Sequence, residues 1–211
     1  MQVTMPSPRA TATSVAGTGS AYFPIEASLF TLPEWSEIER IVEDESLPWE
    51  KVTIGDADEP NDVHVARFMT DIDQPRMVNE PLSTCLLSII GSQRIIGFFQ
   101  EMLNAPELHI RRVQVNKMET GSFVGLHLDK DSNPDYEISV VLQIGKSFRG
   151  GEFVVHAGHG TQYRYEPAYR SMLVSRCDFR HEVRPVMAGE RTSLVFFFSR
   201  DNAKNKRVKP V

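Results

Sequence analysis

The stretch "VGLHLDKD", residues 124–131, sets His127 and Asp129 one residue apart in a segment that alternates like an extended strand. Successive strand side chains point to opposite faces, so both groups would leave the same face, with Leu128 on the other, and could chelate one ion. A third ligand must come from elsewhere. His181, opening "HEVRPV", supplies one. His-X-Asp followed by a distant His is the facial triad that leaves three coordination places open on non-haem Fe(II). Beyond it Arg191 opens the apolar run "RTSLVFFFS". Its fixed guanidinium fork suits bidentate binding of a carboxylate, and a cation at the head of so apolar a strand is otherwise hard to place. His64, His109, His156 and His159 lack a partner at ligand spacing and are expected to be ordinary histidines.

What must position these residues is a chain of 211 residues with 41% hydrophobic and 24% charged side chains, the composition of one globular domain. A formal charge of -5 argues against a protein whose main partner is nucleic acid, although the end, "NAKNKRVKP", is locally basic. Residues 201–211 read as a solvated basic tail. Residues 1–20, rich in Ala, Ser, Thr, Gly and Pro, read as a disordered lead-in without the order of a secretory signal. No apolar run has the length of a membrane span. Cys85 and Cys177 lack metal-type spacing and are expected as reduced thiols in a cytoplasmic protein.

Residues 31–105 form a helical preface. Thr31 and Glu34 have capping-box spacing, with Pro33 in the first turn and Trp35, Ile38, Ile41 and Val42 on one face. Residues 50–78 suggest one or two strands, and residues 79–106 two helices or one broken at Gly91, with Asn79 and Ser92 as caps. From residue 108 to 199 the period is two. "LHIRRVQVNKM", "SFVGLHL", "YEISVVLQI", "EFVVH", "TQYRY", "SMLVSR", "HEVRPV" and "RTSLVFFFS" are eight strand candidates separated by turn residues. Eight strands after helices predict a mostly β fold with α, a double-stranded β-helix (jelly roll) whose N-terminal supporting helices cover one sheet and whose mouth can hold a small cofactor.

Together, "GSFVGLHLD", "FRGGEFVVH", "HEVRPVMAGER" and the strand after Arg191 resemble the Fe(II)/2-oxoglutarate-dependent dioxygenases, in particular the prolyl-4-hydroxylase-like branch. Within it, "VQVN" and "SNPDYEISVVLQIG" look closest to bacterial enzymes that hydroxylate or chlorinate small substrates such as free amino acids. The resemblance implies a single dioxygenase domain over residues 21–200, with His127, Asp129 and His181 as iron ligands and Arg191 on the distal carboxylate of 2-oxoglutarate. It also implies O2 as cosubstrate and ascorbate as a helper that keeps the iron reduced. The branch usually has tyrosines nine and three residues before the first metal histidine, where this chain has Met118 and Val124. Asn116 and Gln143, polar residues in apolar strands, are the expected substitute donors to the cosubstrate, and Tyr136, Arg149, Glu152 and Glu119 could reach substrate from loops. Chlorinating relatives have a small residue at the place of Asp129, so the expected reaction is hydroxylation of an unactivated C–H bond of a small molecule, with release of succinate and CO2. A prolyl-type peptide hydroxylase, which should present an open aromatic groove, a nucleic-acid demethylase and a non-catalytic cupin-like binding protein are the alternatives.

Overall fold

The computed structural model describes residues 5–207. Four helices come early: α1 (Pro8–Thr18), α2 (Leu32–Val42), α3 (Leu82–Ile90) and α4 (Gln93–Leu103). The lead-in expected to be disordered is therefore helical over α1, and only residues 1–4 of it lie outside the described residues. The Ser7 side chain caps the helix, Pro stands in its first turn, and Gly19 ends it at φ 80. Burial of Val15 and packing against α4 hold this weakly apolar helix. In α2 the capping box of Thr31 and Glu34 is present. Gly91 separates α3 from α4. Asn79 is not a cap: its backbone is left-handed, at φ 59, and its amide donates to the Arg67 carbonyl.

The strands are β1 (Ser20–Phe23), β2 (Glu50–Ile54), β3 (Pro60–Thr70), β4 (Arg76–Met77), β5 (His109–Met118), β6 (Phe123–His127), β7 (Tyr136–Gln143), β8 (Phe148–Gly150), β9 (Phe153–His156), β10 (Gln162–Tyr165), β11 (Met172–Arg176), β12 (Arg180–Val183), β13 (Val186–Gly189) and β14 (Arg191–Ser199). A short helix, α5 (Asp129–Ser132), follows β6. One sheet runs β1-β11-β7-β14-β5-β3 and the other β3-β6-β12-β9-β10. The eight expected strands thus fall four to each sheet, and β3 joins the two: Asn61 and Asp62 pair with β6 while residues 64–69 pair with β5. This is the jelly roll. "HEVRPV" divides at Arg184–Pro185, because proline has no N–H to continue the ladder, and β13 pairs with β8, formed by residues expected as a turn.

Period-two alternation sorts the side chains. On β14, Leu194, Phe196 and Phe198 pack under the helices with Trp35, Ile38 and Phe99, whereas Arg191, Ser193, Val195 and Phe197 face the space between the sheets. There a second cluster, including Val63, Val65, Met118, Phe153 and Leu173, floors the barrel. Among the described residues no single helix is long and apolar enough to cross a membrane, and both cysteines are free.

The C-terminal segment is not solvated throughout. Arg111, fully buried, grips Asp71 with two nitrogens (2.9 and 3.2 Å) and donates to the Ala203 carbonyl at 2.7 Å, while the Asn205 amide donates to the Asp71 carbonyl at 2.8 Å. A buried ion pair needs its remaining donors satisfied, and residues 201–205 supply partners that composition does not reveal. Residues 208–211 lie outside the described residues.

Candidate active site

His127 ends β6 and His181 lies opposite it on β12. The register passes from His181↔His127 to Val183↔Val124, so two residues of β6, Gly125 and Leu126, oppose Glu182 alone. This β-bulge brings both Val124 and His127 to the interior despite their odd separation. Gly125 permits it: a Cβ there would meet the Pro60 carbonyl oxygen at 2.5 Å. Asp129 is the first residue of α5 rather than part of the strand, but Leu128 between is still extended (φ -113, ψ 129), so the expected shared face survives.

The three side chains converge. The ligand atoms of His127, Asp129 and His181 lie within 4.8 Å of one another, the one such His/Cys/Asp/Glu group among the described residues. Asp129 Oδ1 is 3.4 Å from His127 Nε2, and Oδ2 is 3.6 Å from His181 Nε2. Each imidazole is oriented by its other nitrogen: Nδ1 of His127 donates to the Gly125 carbonyl at 2.8 Å and that of His181 to the Phe179 carbonyl at 3.0 Å, turning both Nε2 atoms inward. Phe153 stacks on His181 at 4.9 Å.

Burial disfavours the charged form of His127, yet the Asp129 carboxylate outweighs it and raises the pKa to about 9. For Asp129, burial works upward but the two histidines hold the pKa at about 2, and burial depresses His181. Asp129 Oδ2 has no hydrogen-bond partner although buried. Two inward nitrogens and an orphaned carboxylate oxygen form the N2O donor set that suits Fe(II).

All three groups line a cavity of about 470 Å³, and Arg191 lines it too. The Arg191 side chain is 2% exposed, and its contacts are weak: Nη1 reaches Met118 Sδ at 3.5 Å and Ser193 Oγ at 3.4 Å. Its Nε has no partner, no carboxylate among the described residues pairs with it, and burial depresses its pKa to about 10. A buried, unpaired cation is costly, and an anion entering the cavity would offset that cost. Gly151 makes room for it, since at φ 67 a Cβ would stand 2.7 Å from Arg191 Cδ. Gly151→Ala should therefore displace the guanidinium and raise the KM for 2-oxoglutarate several-fold, as steady-state kinetics would show; an unchanged KM would mean that Arg191 tolerates the shift.

Asn116 lines the cavity as expected, with Oδ1 accepting from Gln114 Nε2 at 2.7 Å. Gln143 does not serve as a free donor. Its amide nitrogen is taken up by the carbonyls of Thr192 (3.0 Å) and Gly145 (3.3 Å), where β7 turns away, and its unpartnered atom is the acceptor Oε1. Tyr136 is buried, stacked on Phe197 at 4.7 Å, and neither it nor Arg149, Glu152 or Glu119 lines the cavity. Sequence reading missed Asn61, Arg67, Arg112 and Gln114, which do. The signal was available for two of them: Arg112 and Gln114 share the parity of Asn116 on one strand.

A jelly roll with a buried His/Asp/His group and a cationic recess in one cavity is the arrangement expected of a non-haem Fe(II) oxygenase. The model of the 2OG-Fe(II) oxygenase superfamily matches residues 113–199. A crystal structure of an oxidoreductase of the 2OG-Fe(II) oxygenase family from Burkholderia pseudomallei is 40% identical, with a TM-score of 0.88 and 98% of each chain covered. The chain belongs to the 2OG-Fe(II) oxygenase family, whose chemistry uses Fe(II), 2-oxoglutarate and O2. A prolyl-4-hydroxylase from Pseudomonas putida (18% identity, TM-score 0.65, 92% of this chain and 99% of that one) shares the fold. So does the epimerase SnoN of nogalamycin biosynthesis (10% identity, TM-score 0.68, 91% and 80%). No curated protein sequence matches significantly.

Proposed function

We propose that this oxygenase hydroxylates an unactivated C–H bond of a small molecule, a free or derivatised amino acid, with iron held by His127, Asp129 and His181 and 2-oxoglutarate held by Arg191. The observation that carries this reading is the buried Arg191 guanidinium, unpaired and in the same cavity as the triad. Bound Fe(II), with 2-oxoglutarate and O2, supplies the oxidising power to insert one oxygen atom into C–H, with succinate and CO2 as the other products. The chain's own part is positional. The backbone carbonyls of Gly125 and Phe179 fix the imidazoles, Arg191 and Ser193 anchor the cosubstrate carboxylate, and Phe153, Val183 and Val195 keep water from the reacting carbon.

A small substrate is favoured over a peptide by the lining. The cavity size is ordinary for a small-molecule site, about 300–1,000 Å³, and its rim is charged (Glu50, Lys51, Asp56, Arg67) where a peptide groove should be open and aromatic. The free thiols accord with a reducing, cytoplasmic setting. Iron-dependent release of labelled CO2 from 2-oxoglutarate, together with a mass gain of one oxygen in a substrate screen, tests the reading; no iron-dependent CO2 would reject it.

The carboxylate at position 129 also favours hydroxylation over chlorination. Asp129→Gly should weaken hydroxylation strongly and let chloride perturb the visible band of the iron–2-oxoglutarate complex, an effect absent from the parent. Undiminished hydroxylation in the variant would show that Asp129 is not a ligand.

A further inference from the structure

Neighbouring arginines on β5 face opposite ways, and the contrast between them is informative. Arg111 points away from the cavity onto Asp71, whose side chain is 1% exposed and also takes the Asn133 amide at 2.7 Å, a closed structural pair. Arg112 faces the cavity, with its side chain 15% exposed. Its plane is fixed: Nε donates to Gln114 Oε1 at 2.7 Å and the guanidinium carbon lies 5.8 Å from the centre of the Phe197 ring. Its partner, however, is Asp56, a rim residue 51% exposed, reached by Nη1 alone. Nη2 has no hydrogen-bond partner among the described residues. Arg67, on the adjacent strand opposite Gln114, repeats the pattern: it lines the same cavity and pairs with Glu50, a rim acid 55% exposed.

A guanidinium held on one edge and offered on the other is a carboxylate receptor, since the two parallel N–H donors of the Nη1/Nη2 edge match two carboxylate oxygens. Asp56 occupies half of that edge at the cavity rim, and its other oxygen lies 3.7 Å from Arg207 Nη1, so its charge keeps a partner when Arg112 is taken from it. A ligand carboxylate arriving from inside would take both donors in a less solvated place and so displace it. Arg191 is a separate recess, with no acid to displace.

We infer that the oxidised substrate is a small molecule bearing a carboxylate, bound by Arg112 in place of Asp56 with Arg67 as the second cation, so that the cavity holds two acids: the cosubstrate on Arg191 and the substrate on Arg112. This rests on the oxygenase reading of the cavity. It makes the polar strip Arg112–Gln114–Asn116 the wall that selects substrate.

The test uses the iron-loaded protein with 2-oxoglutarate and a panel of common L-amino acids and short aliphatic acids, each paired with its carboxamide. Succinate formed above the substrate-free rate, and oxygen gain by mass spectrometry, are the readouts. At least one acid should be oxidised with a KM roughly ten- to a hundredfold below that of its amide, the worth of a charge-assisted bidentate contact. Arg112→Met should erase that acid–amide difference. Asp56→Asn should move the other way, lowering the KM for the acid severalfold and leaving the amide's alone, which damage to the fold would not do. No acid bettering its amide, a preference that survives in Arg112→Met, or an acid KM that does not fall in Asp56→Asn would overturn the inference. The visible band of the iron–2-oxoglutarate complex in the parent separates the two readings: its absence removes the oxygenase reading, whereas its presence without acid preference removes only this one.

Discussion

In His181→Ala and in His127→Ala, iron-dependent consumption of 2-oxoglutarate should fall to the background of free Fe(II), with far-ultraviolet circular dichroism unchanged. Each imidazole is held by a carbonyl two residues before it with Nε2 turned inward, a fixed donor that alanine cannot replace. Either removal alone leaves Asp129 and one histidine, too few to hold iron against solvent. The fold should tolerate the change, because both rings line the cavity instead of the main core, although His181→Ala also loses its stack on Phe153. Metal uptake gives a second readout. In the metal-free protein His127, raised to about 9 by Asp129 against the effect of burial, carries a proton that an ion must displace. Iron affinity should therefore rise about tenfold per pH unit through neutrality and level off above about 9. Calorimetry in buffers of different ionisation enthalpy should find about one proton released per iron. Wild-type turnover in both variants would remove these histidines from the site.

The convergence of the triad and the place of Arg191 in the same cavity were legible in sequence because each follows from a local rule. His-X-Asp needs only an extended residue between its ligands, and Leu128 is extended even though the strand has ended. The eight strands were legible for the same reason: alternation survives wherever one face meets the helices and the other the cavity, as on β14. What was not legible depends on partners distant in sequence. The bulge at Gly125–Leu126 exists because β12 fits β6 only with one residue extra, and nothing in "FVGLH" marks it except a glycine. Gln143 looked free because its amide acceptors, the carbonyls of Thr192 and Gly145, are set by how β14 and the end of β7 meet. The tail looked solvated because the cation that orders it, Arg111, lies 90 residues before Asp201 in the chain. The helix over Pro8–Thr18 is the exception: its capping residues were in plain view, and composition outweighed them.

Arg191→Met should raise the KM for 2-oxoglutarate by one to two orders of magnitude, since a charge-assisted bidentate contact contributes roughly 1.5–3 kcal/mol. Arg191→Lys should recover only part of the loss, for an ammonium keeps the charge without the fork. Stability should respond with the opposite sign. The guanidinium is buried, its Nε is orphaned and no acid pairs with it, so the cosubstrate-free protein carries an uncompensated charge beside Met118. A methionine of comparable length in that place removes the charge and adds apolar contact, and the metal-free, ligand-free variant should unfold at the same or a higher denaturant concentration than the parent. Addition of 2-oxoglutarate should raise the parent's midpoint and leave that of the variant nearly unmoved, because a ligand stabilises only the state it binds. A variant that is both less stable and unaltered in KM would mean that Arg191 holds the barrel together and that the cosubstrate's distal carboxylate is anchored elsewhere.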